Sequence, residues 1–313
     1  MKHFTEEIVQ ALANRLPDTE IEVREISKPG EKRLTGLCIR SPHTAIAPIL
    51  YLNESFELYR QGTPVAVIAD KLLEIYQQHT INMPFDTSTI TDWGEASQRV
   101  CARLINVPHN TAYLADKIFE PLPGTDIAIM YYLDLNSVHD GATAPVTNHL
   151  FASWGITPGV LHDIALINTA RLHTPKVEPM YAMMAEMIGE DPLLDQPAPM
   201  YVVTSNDMTF GAVLALIPDV VEELEEHLGD FFLLPSSIFD MIAVPQSLQT
   251  PDMLLQMVTD INHTQVEEKD RLSDDVYVIR HGNLVSAFAD DPDTRNQIQR
   301  QSLAWLPFPA VGI

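Results

Sequence analysis

Apolar residues recur at helical spacing near the start of the chain. Ile8, Ala11, Leu12 and Leu16, with Glu6 and Glu7 in the first turn, predict an amphipathic helix over 4–16 that Pro17 stops. Glu20-Ile21-Glu22-Val23-Arg24-Glu25-Ile26 then alternates strictly, the mark of a half-buried strand. Lys28-Pro29-Gly30-Glu31 reads as a turn, and 34–39 pairs back to close a hairpin. The apolar run 46–52 carries Pro48 and fits an edge strand. Thr63-Pro64 supplies a cap and a first-turn proline for a helix reaching about Gln78 on Val65, Ile68, Leu72, Leu73, Ile75 and Tyr76. Residues 79–95 are rich in turn formers, and 96–107 reads as a helix passing into a strand.

After Pro121-Leu122-Pro123-Gly124 the pattern changes to a recurring order of strand, strand, helix. Strands are expected at 126–134 and 142–146, with helices from Thr147, from Thr157-Pro158 to about Leu172, and over 177–188. Strands at 200–204 and 212–216 precede a helix at 218–228; strands at 231–234 and 239–244 precede a helix at 251–262. A hairpin of 276–280 and 284–288 around His281-Gly282-Asn283 closes the series. The order predicts an α+β fold of strand-strand-helix units, mainly antiparallel sheet flanked by helices. It divides into an N-terminal region 1–120, a C-terminal region 121–289 and a tail 290–313 with the apolar end Leu303-Ala304-Trp305-Leu306-Pro307-Phe308-Pro309, or forms one continuous domain. Met180, Met183, Met184 and Met187 fall on one helical face, which reads as core packing.

Charge changes the picture more than hydropathy does. The 43 acidic and 19 basic side chains give a net charge of -24. The densest basic stretch, Arg24, Lys28, Lys32 and Arg33, is diluted by Glu22, Glu25 and Glu31. Direct binding to nucleic acid or to an anionic membrane needs a local Lys/Arg cluster and is disfavoured. Cys38 and Cys101 lie in apolar, strand-like surroundings and read as two buried thiols, neither a disulfide framework nor a metal cluster. The first residues lack the basic-then-apolar order of a signal peptide, and no run reaches 18 apolar residues, so a cytoplasmic protein is expected.

Established catalytic signatures are absent: no phosphate-binding glycine loop, dinucleotide fingerprint, HExxH, EF-hand loop or nucleophile elbow occurs. The positions one helical turn from His162 are Pro158, Gly159, Ala165 and Leu166, so no local metal spacing exists and no cofactor is expected. Two strand ends turn abruptly polar: Thr204, Ser205, Asn206 and Asp207 after one, Ser236 and Ser237 after the other. Were both strands to run the same way in one sheet, these hydroxyls would share an edge, with His149, His173 or His281 as the base that a serine nucleophile needs. The alternative is that these residues build turns by bonding their own backbone. On the helix 218–228, Glu222, Glu223 and Glu226 form a solvated acidic face, with docking of a basic protein as its functional reading. His263 is placed to cap the negative end of the helix before it.

Several stretches carry a family resemblance. They are 201–206, Gly211-Ala212, 233–237, Pro48-Ile49-Leu50-Tyr51-Leu52-Asn53, Asn262-His263-Thr264-Gln265-Val266 and Leu272-Ser273-Asp274-Asp275-Val276-Tyr277. Over about 45–280 the chain resembles a bacterial family, domain of unknown function 5688, found mainly in gut Firmicutes. More loosely, the order of 161–172 followed by 200–244 is similar to domain of unknown function 1444. The resemblance implies a bacterial cytoplasmic protein and supplies no catalytic residues.

Three functions are therefore expected, in this order: a non-catalytic binding or adaptor protein that uses the acidic face; a hydrolase at the 204–206 and 236–237 strand ends; and an acidic mimic of nucleic acid.

Overall fold

Phe4, Ile8 and Leu12 fall on one face of helix α1 (Lys2–Ala13) and are fully buried, so the amphipathic pattern forms as expected and ends just short of Pro17. In the computed structural model the described residues are 1–30, 32–41, 49–79, 86–136, 141–188 and 200–293, with 295, 296 and 299. They divide at Thr91/Asp92 into two compact units.

In the first unit, β1 (Glu20–Lys28), β2 (Lys32–Arg40) and β3 (Ile49–Tyr51) form an antiparallel sheet in that order. Gly30 takes a φ of 80° at the hairpin turn, a conformation that glycine adopts without strain. The strict alternation of β1 makes a strand that is less covered than expected, since Val23 remains exposed on this edge position. Helices α2 (Asn53–Arg60), α3 (Val65–His79) and α4 (Ser88–Thr91) follow. The core joins Phe4, Ile8 and Leu12 to Leu37 and Ile39 of β2 and to Ile68, Leu72 and Tyr76 of α3. The portion of the expected edge strand at 46–48 lies outside the described residues.

The second unit begins with α5 (Trp93–Ala96), β4 (Val100–Asn106), a 3-10 turn at Pro108–Asn110 and α6 (Thr111–Leu114). Next come β5 (Phe119–Pro121), β6 (Ile127–Asp134) and β7 (Thr143–Pro145). β6 is buried along its whole length, with β4 on one side and β5 and β7 on the other. Thr147 and Thr157 each accept a backbone N–H three residues on, capping α7 (Asn148–Trp154) and α8 (Pro158–Leu172) where the sequence placed their starts.

The remaining elements are β8 (Pro175–Pro179), α9 (Met180–Ile188), β9 (Tyr201–Ser205), a 3-10 helix at Gly211–Leu216, α10 (Pro218–Leu228), β10 (Phe231–Leu234), β11 (Met241–Pro245), α11 (Pro251–Gln265), β12 (Tyr277–Arg280) and β13 (Asn283–Ser286). The six strands run β13-β12-β10-β11-β9-β8, and the described pairings are antiparallel throughout. The fold is thus α+β, with strand-strand-helix units and antiparallel sheets flanked by helices, as the sequence predicts. Leu254, Leu255 and Val258 of α11 pack on Phe232, Leu234, Val244, Val276 and Val278.

Two segments differ from expectation. Residues 175–179 form a strand where the sequence suggested that a helix begins at 177: Pro175 and Pro179 suit an edge, and Lys176 and Glu178, two residues apart on one face, form an ion pair at 3.0 Å. Residues 211–216 form a 3-10 helix in place of a strand. A Cβ at Gly211 would lie 2.4 Å from Ser205 N and 2.6 Å from Phe239 O, so the chain enters this run pressed against β9, and the apolar residues after it are buried without pairing. Met180 and Met183 are half-buried; the side chains of Met184 and Met187, and the apolar end 303–309, lie outside the described residues.

α8 supplies what β4, an edge strand, lacks. Thr169 Oγ1 accepts the Ala102 N–H at 2.8 Å, and Asn168 Nδ2 donates to the carbonyls of Ser97 and Val100 at 2.7 and 2.9 Å. These side chains occupy backbone groups that would otherwise be buried unpaired. Thr169→Val keeps the shape and leaves the buried Ala102 N–H without its acceptor. It is expected to lower the unfolding free energy by about 1–3 kcal/mol, read by urea denaturation; an unchanged midpoint would contradict this role.

Candidate functional site

β9 and β10 both run antiparallel to β11, which lies between them, so their C-terminal ends reach the same edge of the sheet. The polar residues singled out in the sequence therefore gather there, engaged in turn and loop bonds. Thr204 Oγ1 donates to Phe239 O at 3.0 Å, and Ser205 Oγ accepts from Thr209 N at 2.8 Å. Ser237 Oγ accepts from Phe239 N at 3.0 Å and donates to Asp240 at 3.3 Å, and Ser236 also bonds the Asp240 carboxyl. Burial pushes that carboxyl above its ordinary value against these two hydrogen bonds. Asn206 is exposed, and its backbone N–H bonds Thr174 O at 3.1 Å. None of the hydrogen bonds found for these hydroxyls goes to an imidazole.

The histidine nearest this edge has other partners. His173, at the C-terminal end of α8, is 1% exposed; its Nδ1 lies 2.7 Å from Asp207 Oδ2, just beyond β9. Its Nε2 lies 3.0 Å from the Tyr132 hydroxyl and 3.2 Å from Asp134 Oδ2, both on β6. Residues 132 and 134 share a strand face, which is why one ring reaches both. With Nδ1–H given to Asp207, Nε2 accepts the Tyr132 O–H in the neutral ring or donates to Asp134 in the charged one. Burial, foremost, pushes the Tyr132 phenol far above its usual range. Opposite Tyr132 across β4–β6 is Cys101, whose thiol is pushed up to about 12, chiefly by burial, and so stays protonated.

The loop that delivers Asp207 is held in an unusual conformation. Met208 and Phe210 both have positive φ, 57° and 45°. Phe210 is fixed by its ring, which meets Tyr132 edge-on at 5.3 Å, stacks with Phe239 at 6.2 Å and carries the Arg103 guanidinium 4.6 Å above it. Such backbone persists only where the surroundings over-determine it. The arrangement is an Asp–His–Tyr/Asp hydrogen-bond network whose imidazole is buried and whose Asp207 end is open to solvent. His173 was visible in the sequence as a candidate base and Asp207 as part of a polar strand end, but their pairing, and that with Tyr132 and Asp134, spans 34 to 41 residues and left no local signal.

A second polar group lies at the far end of α11, around a cavity of about 160 Å³. His263 Nε2 is 2.9 Å from Asp274 Oδ2, and Arg271 Nη1 is 3.3 Å from His263 Nδ1. A guanidinium only donates, so Nδ1 accepts and Nε2–H faces the carboxylate. His263 thus bonds Asp274 and Arg271 in addition to standing in the last turn of α11. Beside it, Asp126 accepts from Tyr277 OH at 2.6 Å, Ser273 Oγ at 2.7 Å and Asn106 Nδ2 at 3.1 Å. The stretches 262–266 and 272–277, which carried part of the resemblance, meet here.

Glu222, Glu223, Glu225 and Glu226 on α10 are exposed, while Val220 and Leu224 are buried beneath them. None of the ion pairs found among the described residues includes these glutamates. Among the described residues, no group of three or more His, Cys, Asp or Glu could hold a metal ion, and no single helix is long and apolar enough to cross a membrane.

The Asp207 carboxyl sets a pH dependence. Burial would raise it, but hydrogen bonds from His173 and Ser205, the His173 charge and the Thr209 N–H hold it below its ordinary value. An acid held low in the folded state contributes stability that is present above its unfolded value, about 4, and is lost as pH falls through the folded value. Asp207→Asn is expected to cost about 1 kcal/mol or less at neutral pH, since the carboxylate is partly exposed and screened. It should also flatten the loss of stability below about pH 4. Thermal melts at graded pH read this directly, and an acid limb matching the parent's would remove Asp207 from it.

No curated protein and no solved structure matches the chain. One family model does, across residues 1–280, described as a family of unknown function, DUF5688. Covering the first unit and most of the second, that match shows that the chain belongs to the DUF5688 family.

Proposed function

We propose that this chain is a non-catalytic binding protein of the bacterial cytoplasm that docks a basic protein partner on α10. One observation carries the reading: four exposed glutamates crowd one helix and take part in none of the ion pairs found among the described residues. Closely spaced carboxylates repel one another, and a basic partner relieves that repulsion. Two buried, free cysteines agree with a reducing compartment. The hydrolase reading draws less support, because Thr204, Ser205, Ser236 and Ser237 already bond turn and loop groups and His173 is turned to Asp207. We also infer a looser kinship with domain of unknown function 1444, resting on the order of α8 followed by β9–β11.

Capture from a host lysate on the immobilised full chain tests the docking face, with Glu222, Glu223 and Glu226 replaced together by Gln. The expected result is a discrete basic protein retained at low salt, released as salt rises, and weakened about tenfold by the triple substitution. Retention of the same protein with equal affinity by the variant would overturn the docking role of α10.

A further inference from the structure

A cavity of about 420 Å³ opens beside the 3-10 turn and α6, in the range of small-molecule sites. Its walls are mainly apolar, formed by Val107, Leu114, Ile118 and Phe119, with Asn148 among the polar residues that line it. These walls adjoin the small core of Ile105, Tyr113, Leu114, Ala128 and Met130.

Lys117 also lines this cavity and is only 9% exposed. Lysine is seldom so buried, because its ammonium is strongly hydrated. The backbone fixes it there: Lys117 N donates to Leu114 O at 3.0 Å, Asn148 N donates to Asp116 O at 2.8 Å, and Lys117 bridges to Thr147. The ammonium sits 4.4 Å from the centre of the Tyr113 ring and pairs with Asp116. The Asp116 side chain is 70% exposed, and Asp116 is not among the residues lining the cavity. An ammonium has three donors, and one solvent-facing carboxylate with one aromatic face leaves capacity toward the recess.

We propose that this cavity binds an aliphatic carboxylate of medium chain length. Its hydrocarbon chain lies against Val107, Leu114, Ile118 and Phe119, and its carboxylate bonds Lys117 Nζ with Asn148 as the second polar contact. The match is one of sign as well as shape: a lone cation lines an apolar recess of a chain whose net charge is -24. The site is separate from the α10 face and does not depend on the docking reading.

Isothermal titration of the full chain with octanoate, octylamine and octanol tests this without a mutation. Octanoate is expected to bind at one site, about tenfold or more tighter than octylamine or octanol, because a charge-assisted hydrogen bond distinguishes them. Lys117→Met should reduce octanoate affinity about tenfold and leave octanol unchanged, while Lys117→Arg retains the preference for the anion. Absence of saturable octanoate binding, octylamine binding as tightly as octanoate, or equal octanoate affinity in a folded Lys117→Met variant would each overturn the proposal.

Discussion

One imidazole ties the two sheets of the second unit together. His173 leaves α8 with Asp207, in the turn that follows β9 of the six-stranded sheet, on one nitrogen and Tyr132 and Asp134 of β6 on the other. Each of these contacts crosses between elements distant in sequence, and the ring is almost fully buried. Removing one member of such a network leaves buried polar partners without compensation, which costs far more than the intact network contributes over an apolar replacement. The turn through Met208 and Phe210 follows directly after Asp207, and the packing of the Phe210 ring on Tyr132 and Phe239 holds it beside the network.

Asp126 makes a comparable joint at another point. It precedes β6 and receives hydroxyls from Ser273 and from Tyr277 of β12, so the same two sheets meet through a second carboxylate. Burial, with Asp126 next, pushes the Tyr277 phenol well above its usual range, which keeps it a donor. The interior polar groups thus mainly hold the scaffold. The features left for recognition are of a different kind: an exposed acidic helix and an apolar recess with one ammonium.

Much of the architecture was legible because local chemistry and tertiary packing agree. Thr147, Thr157 and the prolines at 158, 218 and 251 announce helix starts, and each begins a helix there or one residue later. Glu20–Ile26 alternates and pairs as a hairpin strand. The departures have separate causes: the apolar run 212–216 carries no period, and the close approach at Gly211 decides its conformation, whereas 175–179 is set as a strand by its pairing with β9 at the sheet edge. The candidate sites were less legible. Thr204, Ser205, Ser236 and Ser237 lie at one sheet edge, a placement the sequence leaves conditional on strand direction, and their partners are backbone and carboxylate groups that no linear motif records. Lys117 gave no signal at all, since its burial arises from the fold around it.

Hydrogen exchange on the parent chain and a His173→Gln variant tests the central joint most directly. If His173 couples the sheets, protection falls together in β4 and β6 and in β8 and β9, while β1–β3 of the first unit keep theirs. Loss confined to one of the two sheets, or unchanged protection in both, would contradict the account.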